Sequence, residues 1–168
     1  MPYEPFYERF GELAWKETRS LTVFDDPSLA GDEFGLIEAY CNDENCDCRR
    51  VFFSIISRQR KGIVAVIAFG WESEAFYAKW FRANDSVIIR QMQDPILNPG
   101  SEQSELAPAL LKKVREVPLA DPAYVARLKR HYRMFKEKVD PTHFKPARTS
   151  ESNLESPPGR KRHRPRSR

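Results

Sequence analysis

Cysteine and histidine are scarce in this chain, three of each in 168 residues, and that scarcity narrows the chemistry before any motif is sought. An odd number of cysteines cannot all pair, so a disulfide framework is not expected. Long apolar runs are missing as well. The longest, Gly62 to Trp71, falls far short of the ~20 residues that a membrane-spanning helix needs. The N-terminus, Met1-Pro2-Tyr3-Glu4-Pro5, has neither a basic n-region nor a following apolar h-region. Together these absences predict a cytoplasmic protein, in a compartment that keeps thiols reduced. No Gly-rich phosphate loop, His-Glu-x-x-His helix or Gly-x-Ser-x-Gly elbow occurs. No pair of carboxylates stands out on one face, and standard hydrolytic or phosphoryl-transfer chemistry gains no support.

What is present reads as one α+β domain followed by a tail. The hydrophobic fraction, 40%, suits a globular core. The formal charge of +4 is unevenly spread: from Lys145 onward eight basic residues stand against two acidic ones, a local +6, which leaves residues 1–144 at −2. The basicity therefore belongs to residues 145–168, where Pro, Ser, Arg and Lys displace apolar residues. That segment is expected to be disordered, because it cannot offset the entropy of ordering.

Phe6, Tyr7, Phe10, Leu13 and Ala14 recur at helical spacing and predict a helix over Pro5 to Trp15. Strands are predicted at Thr18 to Phe24, Phe34 to Tyr40, Arg49 to Arg58 and Gly62 to Phe69. The last two are nearly continuous in apolar residues, as strands that are central or covered on both faces would be. A helix over Ser73 to Phe81 carries Phe76, Tyr77, Trp80 and Phe81, a row expected to lie in the core. A loop follows at 94–100, then a helix after Ser104. A last helix starts at Asp121-Pro122, with Val125, Leu128, Tyr132, Phe135 and Val139 as its apolar stripe. Its opposite face, Lys129, Arg130, Arg133 and Lys136, is expected to be solvated surface. Strands first and helices mostly afterwards predict an antiparallel sheet of about four strands covered by helices.

All three cysteines fall within Tyr40-Cys41-Asn42-Asp43-Glu44-Asn45-Cys46-Asp47-Cys48-Arg49-Arg50-Val51, where two predicted strands turn back on each other. Thiolates favour zinc, and a tight turn can bring several to one ion. Cys46 and Cys48 would point to opposite faces of an ideal strand, so both can be ligands only in an irregular turn. Asn42, Asp43, Glu44, Asn45 and Asp47 favour such a turn. Cys41, Cys46 and Cys48 are thus candidate zinc ligands. His131, bordering the buried face of the last helix, is the candidate fourth, with Asp43, Asp47 or water as alternatives. His143 follows the last helix and His163 lies in the tail. The plainer reading of His131 is a partly buried ring hydrogen-bonded to a carbonyl. The cluster also fits ordinary free cysteines, or a thiol-dependent enzyme or redox sensor using Cys46 or Cys48. Arg49 and Arg50 would stabilise a thiolate while Asp43, Glu44 and Asp47 oppose it, so local charge leaves these readings open.

The Tyr-Cys-x4-Cys-Asp-Cys-Arg-Arg-Val segment, Phe69-Gly70-Trp71-Glu72, Leu106-Ala107-Pro108-Ala109-Leu110-Leu111 and Leu128-Lys129-Arg130-His131-Tyr132 resemble a family of small uncharacterised bacterial proteins, over most of residues 6 to 139. Some longer members end in a cysteine-rich motif similar to the C-terminal zinc motif of the SecA translocase, where this chain carries its basic tail. The resemblance implies a metal association and no particular activity. The run Gly159-Arg160-Lys161-Arg162-His163-Arg164-Pro165-Arg166-Ser167-Arg168 suits salt-sensitive contact with nucleic acid or another polyanion. The expectation is a small non-enzymatic binding module with a zinc knuckle, open to a protein partner as well.

Overall fold

The computed structural model describes residues 3–82, 85–142 and 144. The expected tail, 145–168, lies outside the described residues, as do His143 and His163. The chain runs β1 (Tyr3–Pro5), α1 (Phe6–Glu17), β2 (Arg19–Thr22), β3 (Glu33–Cys41), β4 (Arg50–Ser57), β5 (Gly62–Gly70), α2 (Glu74–Phe81), α3 (Ser86–Gln93), β6 (Ile96–Leu97), α4 (Ala107–Glu116) and α5 (Pro122–Val139).

The strands form one antiparallel sheet of six, in the order β1-β3-β4-β5-β6, with β2 sharing the outer edge of β3 with β1. The α+β reading holds. The predicted sheet of about four is extended by two short strands, β1 and β6, of three and two residues. Segments so short carry no alternation to read. Helix α3, in the stretch just before the predicted 94–100 loop, was also not expected; Asp85 caps it by accepting from the Val87 and Ile88 amides at 2.8 and 3.3 Å.

Helix α5 packs on β3 and β4, α4 on β5 and β6, and α2 with α3 near the end of β5. Along β3 the alternation is strict: Phe34, Leu36, Glu38 and Tyr40 are buried, while Gly35, Ile37 and Ala39 are partly exposed. Tyr40 meets the rings of Tyr132 and Phe135 with centroids 5.9 and 5.8 Å apart, which seats the α5 stripe on the sheet. The expectation that β4 and β5 are covered on both faces is met only by their central place. Beyond a register shift at Ile55/Ile56, Ile56 and Ile63 stand exposed opposite one another. The free edge of β5 is blunted by side chains, with Gln103 exchanging hydrogen bonds with both the Val66 amide and carbonyl and Ser104 donating to the Val64 carbonyl.

Two further expectations need correction. Of the α2 aromatics only Tyr77 is fully buried, and Phe81 is exposed, because α2 is an outer helix resting on α3 rather than on the main sheet. Lys136 is not on a solvated face. It is completely buried, one position beyond Phe135 in the stripe, where α5 passes the end of β3. Lys129, Arg130 and Arg133 do face solvent.

Gly70 ends β5 where backbone meets the α2–α3 pair. A methyl group there would collide with the Tyr77 hydroxyl and the Met92 carbonyl. Tyr77 is fixed by donating to the Arg49 carbonyl at 2.9 Å and cannot swing away at no cost. Gly70→Ala should therefore lower stability by about 1–3 kcal/mol, the usual range for overpacking. Chemical denaturation checks this, and an unchanged midpoint would show that the contact is loose.

Candidate metal centre

β3 and β4 stop pairing at Ala39 and Phe52, and the chain between Cys41 and Arg50 makes no strand of its own. Its shape comes from local turn chemistry and from side chains of other elements. The Asp43 carboxylate accepts from the Asn45 amide at 3.0 Å, and the Cys46 amide donates to the Asp43 carbonyl at 3.3 Å, closing the same turn. Arg49 sits in the left-handed region at φ 48°, a strained conformation for a residue with a side chain. Both of its backbone groups are held by tyrosines: its amide donates to the Tyr132 hydroxyl at 3.2 Å and its carbonyl accepts from Tyr77. Its guanidinium pairs with Asp47 and Glu72 and lies over the Phe76 ring. Tyr132 donates in turn to Asp47 at 3.0 Å.

This irregular path does what an ideal strand could not. The Sγ atoms of Cys41, Cys46 and Cys48 all lie within 4.8 Å of one another. Cys41 and Cys48 are buried and Cys46 is half-buried, with no disulfide among them. Three sulfurs at this spacing form a group able to hold a metal ion. Around them, Tyr3 stands opposite Cys41 in the β1–β3 ladder, and its hydroxyl lies 3.6 Å from Cys48 Sγ. Lys136 Nζ donates to the Asp43 carbonyl at 2.6 Å and reaches the Cys41 carbonyl at 3.5 Å.

The three thiols titrate as a unit. Hydrogen bonds from Cys46 and Cys48 pull the Cys41 thiol far below its ordinary value, aided by backbone donation at Asp43 and by the charge of Lys136. Cys46 and Cys48 are pushed up, foremost by the contact with Cys41. Burial raises Tyr3, and the neighbouring Cys48 raises it further. The cations expected to matter do not touch the sulfurs: Arg49 is committed to Asp47 and Glu72, and Arg50 to the Met92 sulfur and the Gln91 carbonyl.

His131 does not join the three cysteines. It is buried, as its helical position implied, but its Nδ1 lies 2.7 Å from Glu38 Oε2 and its Nε2 2.8 Å from Glu17 Oε2. Neither ring nitrogen is left to coordinate a metal. The ring stacks on Phe6 at 4.3 Å, and Tyr40 donates to the same Glu38 oxygen at 2.8 Å. The partners are therefore carboxylates from α1 and β3, not a carbonyl. Arg130 pairs with Glu17 on the outer side. A cavity of about 10 Å³ beside Glu38 and His131 has room for no more than a water. Of the alternative fourth ligands, the Asp47 carboxylate is engaged by Arg49 and Tyr132, and Asp43 caps its own turn.

Lys136 and Tyr132 are the residues that sequence reasoning passed over. The stripe at 128, 132, 135 and 139 does contain their signal: 136 lies four residues after 132 and so on the same side of the helix. No family model, curated protein or solved structure matches this chain. Among the described residues, no helix is long and apolar enough to cross a membrane.

The separation of the two clusters is directly testable. His131→Gln breaks the contacts to Glu17 and Glu38 and should cost about 2–4 kcal/mol of stability by leaving a buried carboxylate short of a partner. Metal stoichiometry of the folded variant should equal that of the parent. A parallel loss of metal would place His131 among the ligands after all.

Proposed function

We propose that this chain is a small non-enzymatic binding module whose Cys41, Cys46 and Cys48 hold a structural zinc ion, and whose segment 145–168 contacts nucleic acid or another polyanion. The observation that carries the metal reading is the convergence of three sulfurs within 4.8 Å on a connection that lacks regular hydrogen bonding of its own. With Zn–S bonds of about 2.3 Å, sulfurs in a tetrahedral site stand roughly 3.8 Å apart, a spacing of the same order. The fourth position falls to solvent.

The role of such an ion would be mechanical. It cross-links the end of β3 to the chain that leads into β4 and offsets the entropy of ordering the turn between them. The arrangement around it supports holding rather than reacting: Tyr3, Tyr132, Tyr77 and Lys136 fix the loop from several elements. For the polyanion contact, the support is the +6 charge of residues 145–168 in a chain whose remainder is mildly acidic.

Elemental mass spectrometry of freshly purified protein should find close to one zinc per chain. Cys46→Ser should lower both metal content and melting temperature; a variant that melts like the parent and keeps its zinc would end the structural role. Deleting residues 145–168 should abolish salt-dependent binding to a nucleic-acid oligomer while the melting temperature stays the same. Binding that survives the deletion would move the contact to the exposed face of α5, around Lys129, Arg130 and Arg133.

A further inference from the structure

Lys136 is 0% exposed, yet no ion pair among the described residues explains its position. The groups within hydrogen-bond reach of its ammonium are the carbonyls of Asp43 and Cys41, with the Phe144 ring 5.4 Å away. Among the described residues no carboxylate lies within ion-pair distance of Nζ. Carbonyl dipoles solvate a cation but do not neutralise it, and a buried charge without a counter-charge is costly. The sulfur cluster lies on the same connection, and one of its members, Cys41, lends its own carbonyl to Lys136.

Charge counting makes the relation specific. Three thiolates carry three negative charges, and a divalent ion bound to them leaves one. A single ammonium cancels that remainder, so the ion, the three sulfurs and Lys136 form a neutral unit that can sit in a low-dielectric interior. A trivalent ion on the same three thiolates is already neutral, and Lys136 would then stand as an excess charge. The arrangement is thus matched to one class of ion by charge as well as by sulfur chemistry.

We infer that Lys136 is the resident counter-cation of the Cys41–Cys46–Cys48 site, a positioning residue that tunes the three-thiolate centre to divalent thiophilic ions over trivalent ones. This rests on the metal reading above. Lys136 touches the loop backbone and not the ion, and acts through charge and through its hold on Cys41 and Asp43.

The test compares the full-length protein with Lys136→Met, Lys136→Gln and Lys136→Arg, using zinc(II) and arsenite as probes in competition with a chromophoric chelator and a dithiol. Arsenite serves because As(OH)₃ and three thiols give As(SR)₃ and three waters, exchanging As–O for As–S bonds with no change of oxidation state. Zinc affinity should fall on the order of tenfold or more in Lys136→Met and Lys136→Gln, the scale of one lost charge partner. Arsenite affinity should hold or rise in the same variants, and Lys136→Arg should restore zinc binding to within a few-fold. Lys136→Gln keeps a donor for the carbonyls, so it remains readable if Lys136→Met does not fold. An equal loss for zinc and arsenite would show that Lys136 only shapes the loop, and unchanged zinc affinity would show that it does nothing for the site; either overturns the inference. Wild-type protein that takes up no zinc would instead remove the metal reading itself.

Discussion

The seating of α5 on the end of the sheet is the constraint on which the rest of this structure depends. Leu128, Tyr132 and Phe135 bury against β3 and β4, and the next residue, Lys136, is thereby carried into the interior beside a turn that has no ladder to shape it. From that one docking event follow the hold on Asp43 and Cys41, the hydroxyl of Tyr132 on Asp47 and Arg49, and the left-handed entry into β4. The convergence of the sulfurs is a consequence. Cys46 and Cys48 meet Cys41 because the connection between them is bent by contacts from α5, α2 and β1.

The same helix organises a second polar cluster on its neighbouring turn. His131 is gripped by Glu17 and Glu38, stacked on Phe6 and backed by Tyr40, so α1, β3 and α5 are tied together by charge and ring contacts at one point. Glu38 Oε1 makes no hydrogen bond among the described residues, and the small cavity beside it has room for the one water that would complete the network. The two clusters divide the work along α5. One fixes the helix to β3 and α1, and the other fixes the turn that leads from β3 to β4.

Much of this was legible in the sequence where periodicity is strong. The long strands, the start of α5 at Asp121-Pro122 and the cysteine turn follow from apolar runs, capping chemistry and turn residues. The short strands β1 and β6 were not legible, because two or three residues define no period and owe their pairing to tertiary context. His131 was placed on the buried side by its helical angle, yet its partners come from residues 93 and 114 positions away, which no local pattern reveals. Lys136 was hidden for a different reason. Burial of lysine runs against composition alone, and only the geometry of Cys41 and Asp43 shows why it is tolerated here.

The central claim is that three sulfurs of this one connection act together on a single ion. X-ray absorption at the metal edge of the zinc-loaded, full-length protein tests it most directly, because it counts the scatterers and measures their distance. Three sulfurs at about 2.3 Å from the ion are the predicted result. A zinc ion surrounded by nitrogen and oxygen, with fewer than three sulfurs, would contradict the account.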